Sequence, residues 1–167
     1  MDDFELLKKV PIFEELSDGQ LKDVFGIISR KRFEKDEMII QEGDTGDTMY
    51  ILSEGAVEIS KTLTLKLSQD EYGQREKSLT HLEGKDHPFF GEMSMLEDAE
   101  RSATVTAIED STVLVINREQ FDGLCKRNPV AGYIVVKNIA KVLSARMRST
   151  NRDMLKLATA LSLALSK

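Results

Sequence analysis

The 167-residue chain is 41% hydrophobic and 31% charged with a formal net charge of −6, a composition typical of a globular protein. This length allows one sizeable core with an appended element. No stretch approaches the roughly 18 apolar residues of a membrane span, and the N-terminus lacks the basic start and apolar run of a signal peptide. The single cysteine, Cys125, excludes an internal disulfide. We therefore expect a cytoplasmic protein with no membrane association.

Charge is unevenly distributed along the chain. Residues 1–125 carry 14 basic and 28 acidic side chains, whereas residues 126–167 carry nine basic side chains and only Asp153 as an acid. A basic stretch of this kind can bind nucleic acid or anionic lipid. On a helix it is more often a solvated face, which is the interpretation we favour.

The pattern predicts helices at the N-terminus and strands in the middle of the chain. Ser17 and Gln20 form a capping box ahead of apolar residues at helical spacing, which predicts a helix over 17–30 with residues 6–13 packed beside it. Short alternating runs predict strands at 38–40, 49–52, 56–67, 77–82, 102–107 and 112–116, separated by turns at 42–44, 54–55 and 70–74. In Thr62–Leu67 the leucines should face the core. This organisation is mainly β with flanking helices, and it indicates an antiparallel β-roll of the jelly-roll type.

The C-terminal quarter predicts two helices. Asn117 caps a short one, and Asn128–Pro129 begins another that meets no proline up to Leu165, about 37 residues or roughly 55 Å. Residues at heptad spacing form one stripe of this long helix: Val136, Ala140, Leu143, Met147, Thr150, Met154, Leu157 and Leu161. The stripe predicts a coiled-coil seam and a homodimer, while Val135, Ile139 and Val142 lie on a second face suited to packing on the roll. We divide the chain into a domain of residues 1–127 and a dimerisation helix of residues 128–167.

Residues 89–107 carry the strongest indication of function. Gly91 opens a turn, and Glu92–Leu96 can form one turn of helix whose free N–H groups favour an anion. Arg101 follows ten residues after Gly91, and its planar guanidinium can hold two phosphate oxygens. The carboxylate of Glu92 is suited to accept a hydrogen bond from a sugar hydroxyl. Taken alone, such a spacing is usually a surface turn with a solvated ion pair.

The surrounding sequence resembles a known cassette. Phe90-Gly91-Glu92, Leu96 and the run from Arg101 to Val105 are similar to the phosphate-binding cassette of the cyclic nucleotide-binding domain family, and 41–44 and 50–57 resemble its β-roll turns. The resemblance extends over about residues 6–158. It implies a β-roll in which Arg101 and backbone N–H groups near Ser94 and Ser102 bind the cyclic phosphate, while Glu92 binds the ribose 2′-hydroxyl. The implied ligand-binding set in this region is Gly91, Glu92, Met93, Ser94, Arg101, Ser102 and Ala103.

Two further residues are implied by the same resemblance. Aligning 146–158 with the family's central helix places Thr150 and Asn151 where the base is contacted, one residue from each subunit of a dimer. A polar residue on the seam that merely fixes the register of two helices is an equally good interpretation of Thr150.

Metal and catalytic chemistry are less well supported. His81 and His87 lie on either side of Gly84 near several carboxylates, but one alternates with Leu82 on a strand and the other precedes Pro88 in a loop, so they are not expected to converge on a metal. No combination of nucleophile and base with a recognisable context is present. We therefore expect a binding protein without enzymatic activity, with a cyclic nucleotide as ligand and no other cofactor.

Three departures from the family pattern affect the details. The loop Glu83–Pro88 replaces the family's usual Gly-x-x-Phe approach to the cassette. Ser102 follows the arginine, and a hydroxyl there satisfies guanine in some members, although a bacterial member with serine prefers adenine; we favour cyclic AMP over cyclic GMP. The chain ends at Lys167 with no room for the winged helix-turn-helix of the family's transcription factors, so we expect no DNA binding and an unknown downstream protein. The alternative is a degenerate roll that serves only as a protein-protein dimerisation module.

Overall fold

A computed structural model describes residues 2–66 and 72–165, without the side chains of residues 63–66 and 72–75. The helices and strands in chain order are α1 (Asp3–Leu7), α2 (Asp18–Phe25), β1 (Ile28–Phe33), β2 (Met38–Ile40), β3 (Thr48–Glu54), β4 (Ala56–Lys66), β5 (Tyr72–Glu83), β6 (Phe89–Phe90), α3 (Glu92–Leu96), β7 (Thr104–Ala107), β8 (Ser111–Asn117), α4 (Arg118–Arg127) and α5 (Pro129–Leu165). Short 3-10 helices occur at Pro11–Phe13 and Gly84–Asp86. In the described ranges no helix is long and apolar enough to cross a bilayer.

The described strands form two four-stranded antiparallel sheets. One has the order β1-β8-β3-β6 and the other β2-β7-β4-β5. Together they make the antiparallel β-roll that the sequence predicts, followed by the long C-terminal helix. The fold class predicted from the sequence is confirmed.

The central strands of the first sheet, β3 and β8, are buried on both faces because they separate two apolar cores. Along β3, Met49 and Ile51 point into the outer core and Tyr50 and Leu52 into the inner one, and β8 alternates in the same way. The inner core lies between the two sheets. The outer core lies between the first sheet and a layer made of α1, α2, α4 and the first half of α5. Strands buried on both faces explain the nearly continuous apolar sequence of β8.

The predicted helix over 17–30 is too long. The capping box is present, with Ser17 N donating to Gln20 Oε1 at 2.9 Å, but α2 ends at Phe25. From Ile28 the chain pairs with β8, in a register running from Ile28 opposite Ile116 to Phe33 opposite Ser111. Pairing with a distant strand therefore overrides the local helical spacing, and β1 is a strand that the pattern missed.

Other boundaries differ in smaller ways. The strand predicted at 102–107 begins at Thr104, so Ser102 and Ala103 belong to the preceding loop, and the two-residue strand β6 was not predicted. The turn predicted at 70–74 falls partly on residues outside the description, and Tyr72 already belongs to β5. The predicted orientation of the leucines at 63, 65 and 67 concerns side chains outside the described residues.

The long helix α5 has the predicted bounds. It begins after Asn128, whose Oδ1 accepts from Ala131 N at 3.2 Å, and it continues for 37 residues. Val135 and Ile139 are fully buried against the roll, and Val142 packs beside them, as predicted. The heptad stripe is exposed beyond Leu143. Its role as a dimer seam stays a prediction, because the structure describes one chain.

Candidate functional site

A cavity of about 320 Å³ lies between the inner face of the roll, α3 and the middle of α5. Its apolar wall comes from Ile40, Ile59 and Phe90 on the strands, and Leu143 and Met147 close it from α5. The polar groups concentrate on α3 and on the loop that follows it. A concave, largely apolar space with a few polar groups on one side is the usual form of a small-molecule site.

The turn into α3 depends on Gly91. This residue has φ +78°, a left-handed conformation that a side chain disfavours, and a Cβ here would lie 2.9 Å from both Arg101 Nη1 and Thr48 O. The helix then runs over Glu92–Leu96, as the sequence predicts. Glu92 and Ser94 are buried, whereas Met93 between them is 45% exposed at the cavity mouth.

Arg101 is the central cation of the site. It is only 7% exposed, and its Nη1 donates to Thr48 O at 2.9 Å and to Gly91 O at 3.2 Å, while Nη2 donates to Thr48 Oγ1 at 2.9 Å. The guanidinium also lies 5.9 Å from the centre of the Tyr50 ring, which stacks on Phe90. In the described part of the chain no carboxylate forms an ion pair with it. A buried cation held by neutral acceptors is ready to bind an anion.

The electrostatics of Arg101 follow from this burial. Desolvation lowers the pKa of the guanidinium below its ordinary value, with Arg118 acting in the same direction. The carboxylates of Asp47 and Asp44 oppose that shift from a distance. An arginine keeps its proton at neutral pH, so the cost of burying its charge is reduced when an anion enters the cavity.

Gly46 allows the guanidinium to lie as deep as it does. A Cβ at this position would overlap the Nε, Nη2 and Cζ atoms of Arg101. The chain around Gly46 is tied to the same loop, because Gly43 N donates to Arg101 O and Arg101 N donates to Asp44 O. The turn before β3 therefore sets the position of the cation.

Arg146 of α5 is a site residue that the sequence interpretation missed. Its Nη1 donates to Glu92 Oε1 at 2.7 Å, its Nη2 donates to Phe89 O at 2.9 Å, and its guanidinium lies 4.9 Å from the Phe89 ring centre. The Glu92 side chain, 5% exposed, thus has a cationic partner from the helix. The sequence indicates this residue by its spacing, because Arg146 lies four positions before Thr150 and therefore on the same face of the helix.

Arg118, the first residue of α4, holds the other end of α3. Its Nη2 donates to Ser94 O and to Glu97 O, the latter at 2.6 Å, and its Nη1 pairs with Asp98. Its backbone N–H donates to Asp47 O at 2.8 Å. The last carbonyl groups of a helix have no hydrogen-bond partner within the helix, and at the end of α3 the guanidinium of Arg118 supplies one. The short helix is therefore fixed to the start of α4.

The structure brings nearly all predicted site residues to one cavity. Those that line it are Gly91, Glu92, Met93, Ser94, Arg101, Ser102, Ala103 and Thr150. Asn151 lies instead on the exposed side of α5 with Arg148 and Arg152. Its predicted contact with a ligand requires the second subunit, so it stays a prediction, as do the individual ligand contacts of the other residues.

The two histidines lie in different surroundings. His81 Nε2 lies 2.8 Å from Glu58 Oε1 on the roll surface, and His87 is buried after the second 3-10 helix. Across the residues that the structure describes, no three His, Cys, Asp or Glu side chains are grouped as metal ligands.

Comparisons with known proteins agree with this geometry. The family model described as "Cyclic nucleotide-binding domain" matches residues 30–128. The chain is 28% identical over 148 residues to the cyclic AMP receptor protein of Thermus thermophilus, covering 89% of this chain and 62% of that protein. It is 33% identical over 122 residues to cGMP-dependent protein kinase isozyme 2 (forms cD5/T2) of Drosophila melanogaster, covering 72% of this chain and 12% of the kinase.

The fold is similar as well. The crystal structure of the Thermus thermophilus catabolite activator protein superposes with a TM-score of 0.73 at 29% identity, over 89% of this chain and 63% of that one. The chain therefore spans less than two thirds of the length of these relatives.

Proposed function

Because this chain belongs to the cyclic nucleotide-binding domain family, we propose that it binds a cyclic nucleotide, cyclic AMP in preference to cyclic GMP, in the cavity between α3 and α5. One observation carries the proposal. Arg101 is buried, has only neutral hydrogen-bond acceptors among the described residues, and lines a cavity that no side chain fills. An anionic ligand is the group that such a cation lacks.

The phosphate end of the ligand would lie against Arg101. The guanidinium carries five N–H donors, and three hydrogen bonds to Thr48 and Gly91 hold it in place without using all of them. The remaining donors are available to phosphate oxygens. Backbone N–H groups near Ser94 and Ser102 would contribute further donors. The low dielectric of the buried loop strengthens each of these interactions.

The ribose end would lie near Glu92. One carboxylate oxygen of Glu92 is occupied by Arg146, and a carboxylate has acceptor capacity for a second donor such as the 2′-hydroxyl. A ligand bound to Glu92 is therefore linked through Arg146 to α5. We propose that this link lets the ligand bias the position of α5 relative to the roll, which is the basis of a sensor.

The long helix would mediate homodimerisation. Met147, Met154, Leu157 and Leu161 are all about 60–70% exposed along the heptad stripe, where a second copy would cover them. In a parallel pair, Thr150 of one subunit and Asn151 of the other would contact the base, and the signal would pass to a downstream protein. We propose a cytoplasmic, non-enzymatic regulatory module of this kind.

The matches to a cyclic AMP receptor and to human cGMP-dependent protein kinase 2 cover 89% and 88% of the chain, so the preference for cyclic AMP rests on the resemblance of the Arg101-Ser102 pair to a bacterial family member that prefers adenine. Isothermal titration calorimetry with both nucleotides tests the proposal. We expect saturable binding of both, with cyclic AMP tighter. No heat from either at millimolar concentration would overturn it, and a dimer in sedimentation with no binding would favour a dimerisation module instead.

Arg101→Ala is the matched variant for this titration. Loss of the cation that we place against the phosphate should weaken binding by at least about a hundred-fold, which corresponds to about 2.7 kcal/mol. Arg101→Lys keeps the charge but lacks the planar guanidinium, so its affinity should lie between those of wild type and Arg101→Ala. Thermal unfolding must show that both variants stay folded. Binding of Arg101→Ala with wild-type affinity would contradict the assignment of the phosphate end.

A further inference from the structure

The apolar surface of α5 widens towards the end of the helix. In the middle turns, the residues on either side of the heptad stripe are polar: Ser144, Arg146, Asn151 and Asp153. From Met154 to Leu165 the same flanking positions are apolar: Ala158, Ala160 and Leu165. A narrow stripe is typical of a helix with one neighbour, whereas a stripe with apolar flanks is typical of a helix in a bundle.

Two leucines lie outside both the stripe and its flanks. Leu155 comes one residue after the stripe residue Met154, and Leu163 comes two residues after Leu161, which rotates them by about 100° and 200° around the helix. They are 70% and 67% exposed. A two-stranded coiled coil would cover the stripe and leave both leucines in water. A helix that is apolar on all sides is normally buried on all sides.

The polar groups of this segment do not oppose its burial. Lys156 carries the only charge between Met154 and Leu165, and its Nζ pairs with Asp153 Oδ1 at 3.0 Å, at the start of the segment. The hydroxyl of Thr159 donates to Leu155 O at 2.9 Å, so it has a partner within the helix. The last turns of α5 can therefore lose contact with water at little cost.

The shape and charge of the segment favour other copies of itself over a lipid bilayer. Residues 154–165 extend about 18 Å as a helix, and a bilayer span needs about 30 Å. A helix that lies on a bilayer surface needs a strongly polar face, which this segment lacks. In the proposed parallel dimer two such segments lie side by side. Their symmetric outer surface is complementary to the same surface of a second dimer.

We propose that residues 154–165 of two dimers pack together as a four-helix bundle, so that the protein is a tetramer. The inference rests on the proposed homodimer and adds a second interface to it, to which Leu155 and Leu163 contribute. The two dimers would meet antiparallel. This arrangement places the basic residues of one dimer, Arg146, Arg148 and Arg152, at the opposite end of the bundle from those of the other.

Sedimentation equilibrium of the full chain tests the inference with a double variant and a matched control. Leu155→Gln with Leu163→Gln removes the leucines outside the stripe and keeps the stripe and the helix propensity. We expect four chains per particle for wild type and two for this variant, with the tetramer dissociation constant raised at least about a hundred-fold. Arg148→Gln with Lys156→Gln changes the same two heptad positions one heptad earlier and should stay tetrameric.

The outcomes separate this inference from the proposed dimer. A wild-type protein that stays dimeric up to millimolar concentration would overturn the tetramer and leave the dimer in place, whereas a monomeric wild type would overturn both. Dissociation of both double variants to dimers would contradict the role of the two leucines. Association of a dimeric wild type with phosphatidylcholine vesicles would identify a membrane as the partner instead.

Small-angle X-ray scattering tests the antiparallel arrangement. The rolls would lie at both ends of the bundle, so the largest dimension of the wild-type particle should clearly exceed that of the dimeric double variant. Equal dimensions in a tetrameric wild type would show that all four rolls lie at one end, which contradicts the antiparallel arrangement.

Discussion

Both halves of α5 carry apolar residues at helical spacing, but the first half is packed on the roll and the second half is exposed. In the first half, Ala131, Val135 and Ile139 are completely buried by the roll and by the N-terminal segment, and the Asn138 amide donates to Glu14 O at 2.8 Å. From Ser144 to Leu165 every residue is exposed. Both halves carry regularly spaced leucines, valines or methionines. The comparison shows that helical periodicity identifies an apolar face, and that the packing partner of this face must come from elsewhere in the chain or from another molecule.

The largest expected contrast comes from one charge placed in each half. Ile139→Asp buries an unpaired carboxylate in the outer core and should unfold the domain, because the cost is comparable to its total stability of about 5–15 kcal/mol. Leu161→Asp, at a side chain 61% exposed, should leave the roll folded and weaken only dimerisation. Circular dichroism on heating and sedimentation velocity measure the two effects. Loss of the roll in Leu161→Asp would show that the halves are not independent.

Arg146 lies at the boundary between the halves and gives an intermediate effect. Arg146→Ala leaves the buried Glu92 carboxylate without its cation and should destabilise the domain by about 1–2 kcal/mol, a value reduced because the arginine side chain is half exposed. Nucleotide affinity should fall as well, since the carboxylate is no longer oriented. Urea unfolding and titration measure both quantities. Arg146→Lys, which keeps a charge, should recover part of each, and no change in Arg146→Ala would contradict a link between α3 and α5.

The smallest effect concerns the surface contacts of the packed half. Lys137 and Lys141 of α5 both pair with Glu15 at 3.0 Å, and their hydrogen bonds and charges lower the pKa of that carboxylate below 4.5. The stabilisation that these two ion pairs give to the folded state is therefore present above about pH 4.5. It is lost as the pH falls through the lower pKa that Glu15 has in the folded state. Glu15→Gln should be slightly less stable than wild type at pH 6, and the difference should be smaller at pH 3. Urea unfolding at the two pH values measures this, and a constant difference would contradict it.

Local sequence is sufficient for those features that depend on neighbouring residues. The capping box of Ser17, the turn at Gly91 and the uninterrupted length of α5 are each determined within a few residues, and each was predicted. The cassette residues cluster for the same reason, since Gly91 to Ala103 are separated by a single loop. Most of the candidate site could therefore be predicted from one stretch of sequence.

The features that were missed depend on distant pairing. The strand β1 has apolar residues only at its two ends, with four exposed positions between them, so its sequence does not alternate. It is a strand because it pairs with β8, more than 70 residues later. The contact between Glu92 and Arg146 spans 54 residues and requires α5 to return across the roll. The spacing of Arg146 to Thr150 indicates the helix face on which Arg146 lies, but neither long-range partner can be identified within a window of 10 to 18 residues, which is the range of periodicity arguments.

The absence of a side chain at Gly46 has a consequence for redesign of the cavity. The space that a Cβ would take there is occupied by the charged end of Arg101. Truncating Arg101 alone would create a void next to β3, and enlarging Gly46 alone would push the guanidinium outward. Converting this pocket to bind an uncharged ligand therefore requires exchanging both positions together, so that a new methyl group at 46 fills part of the volume vacated at 101.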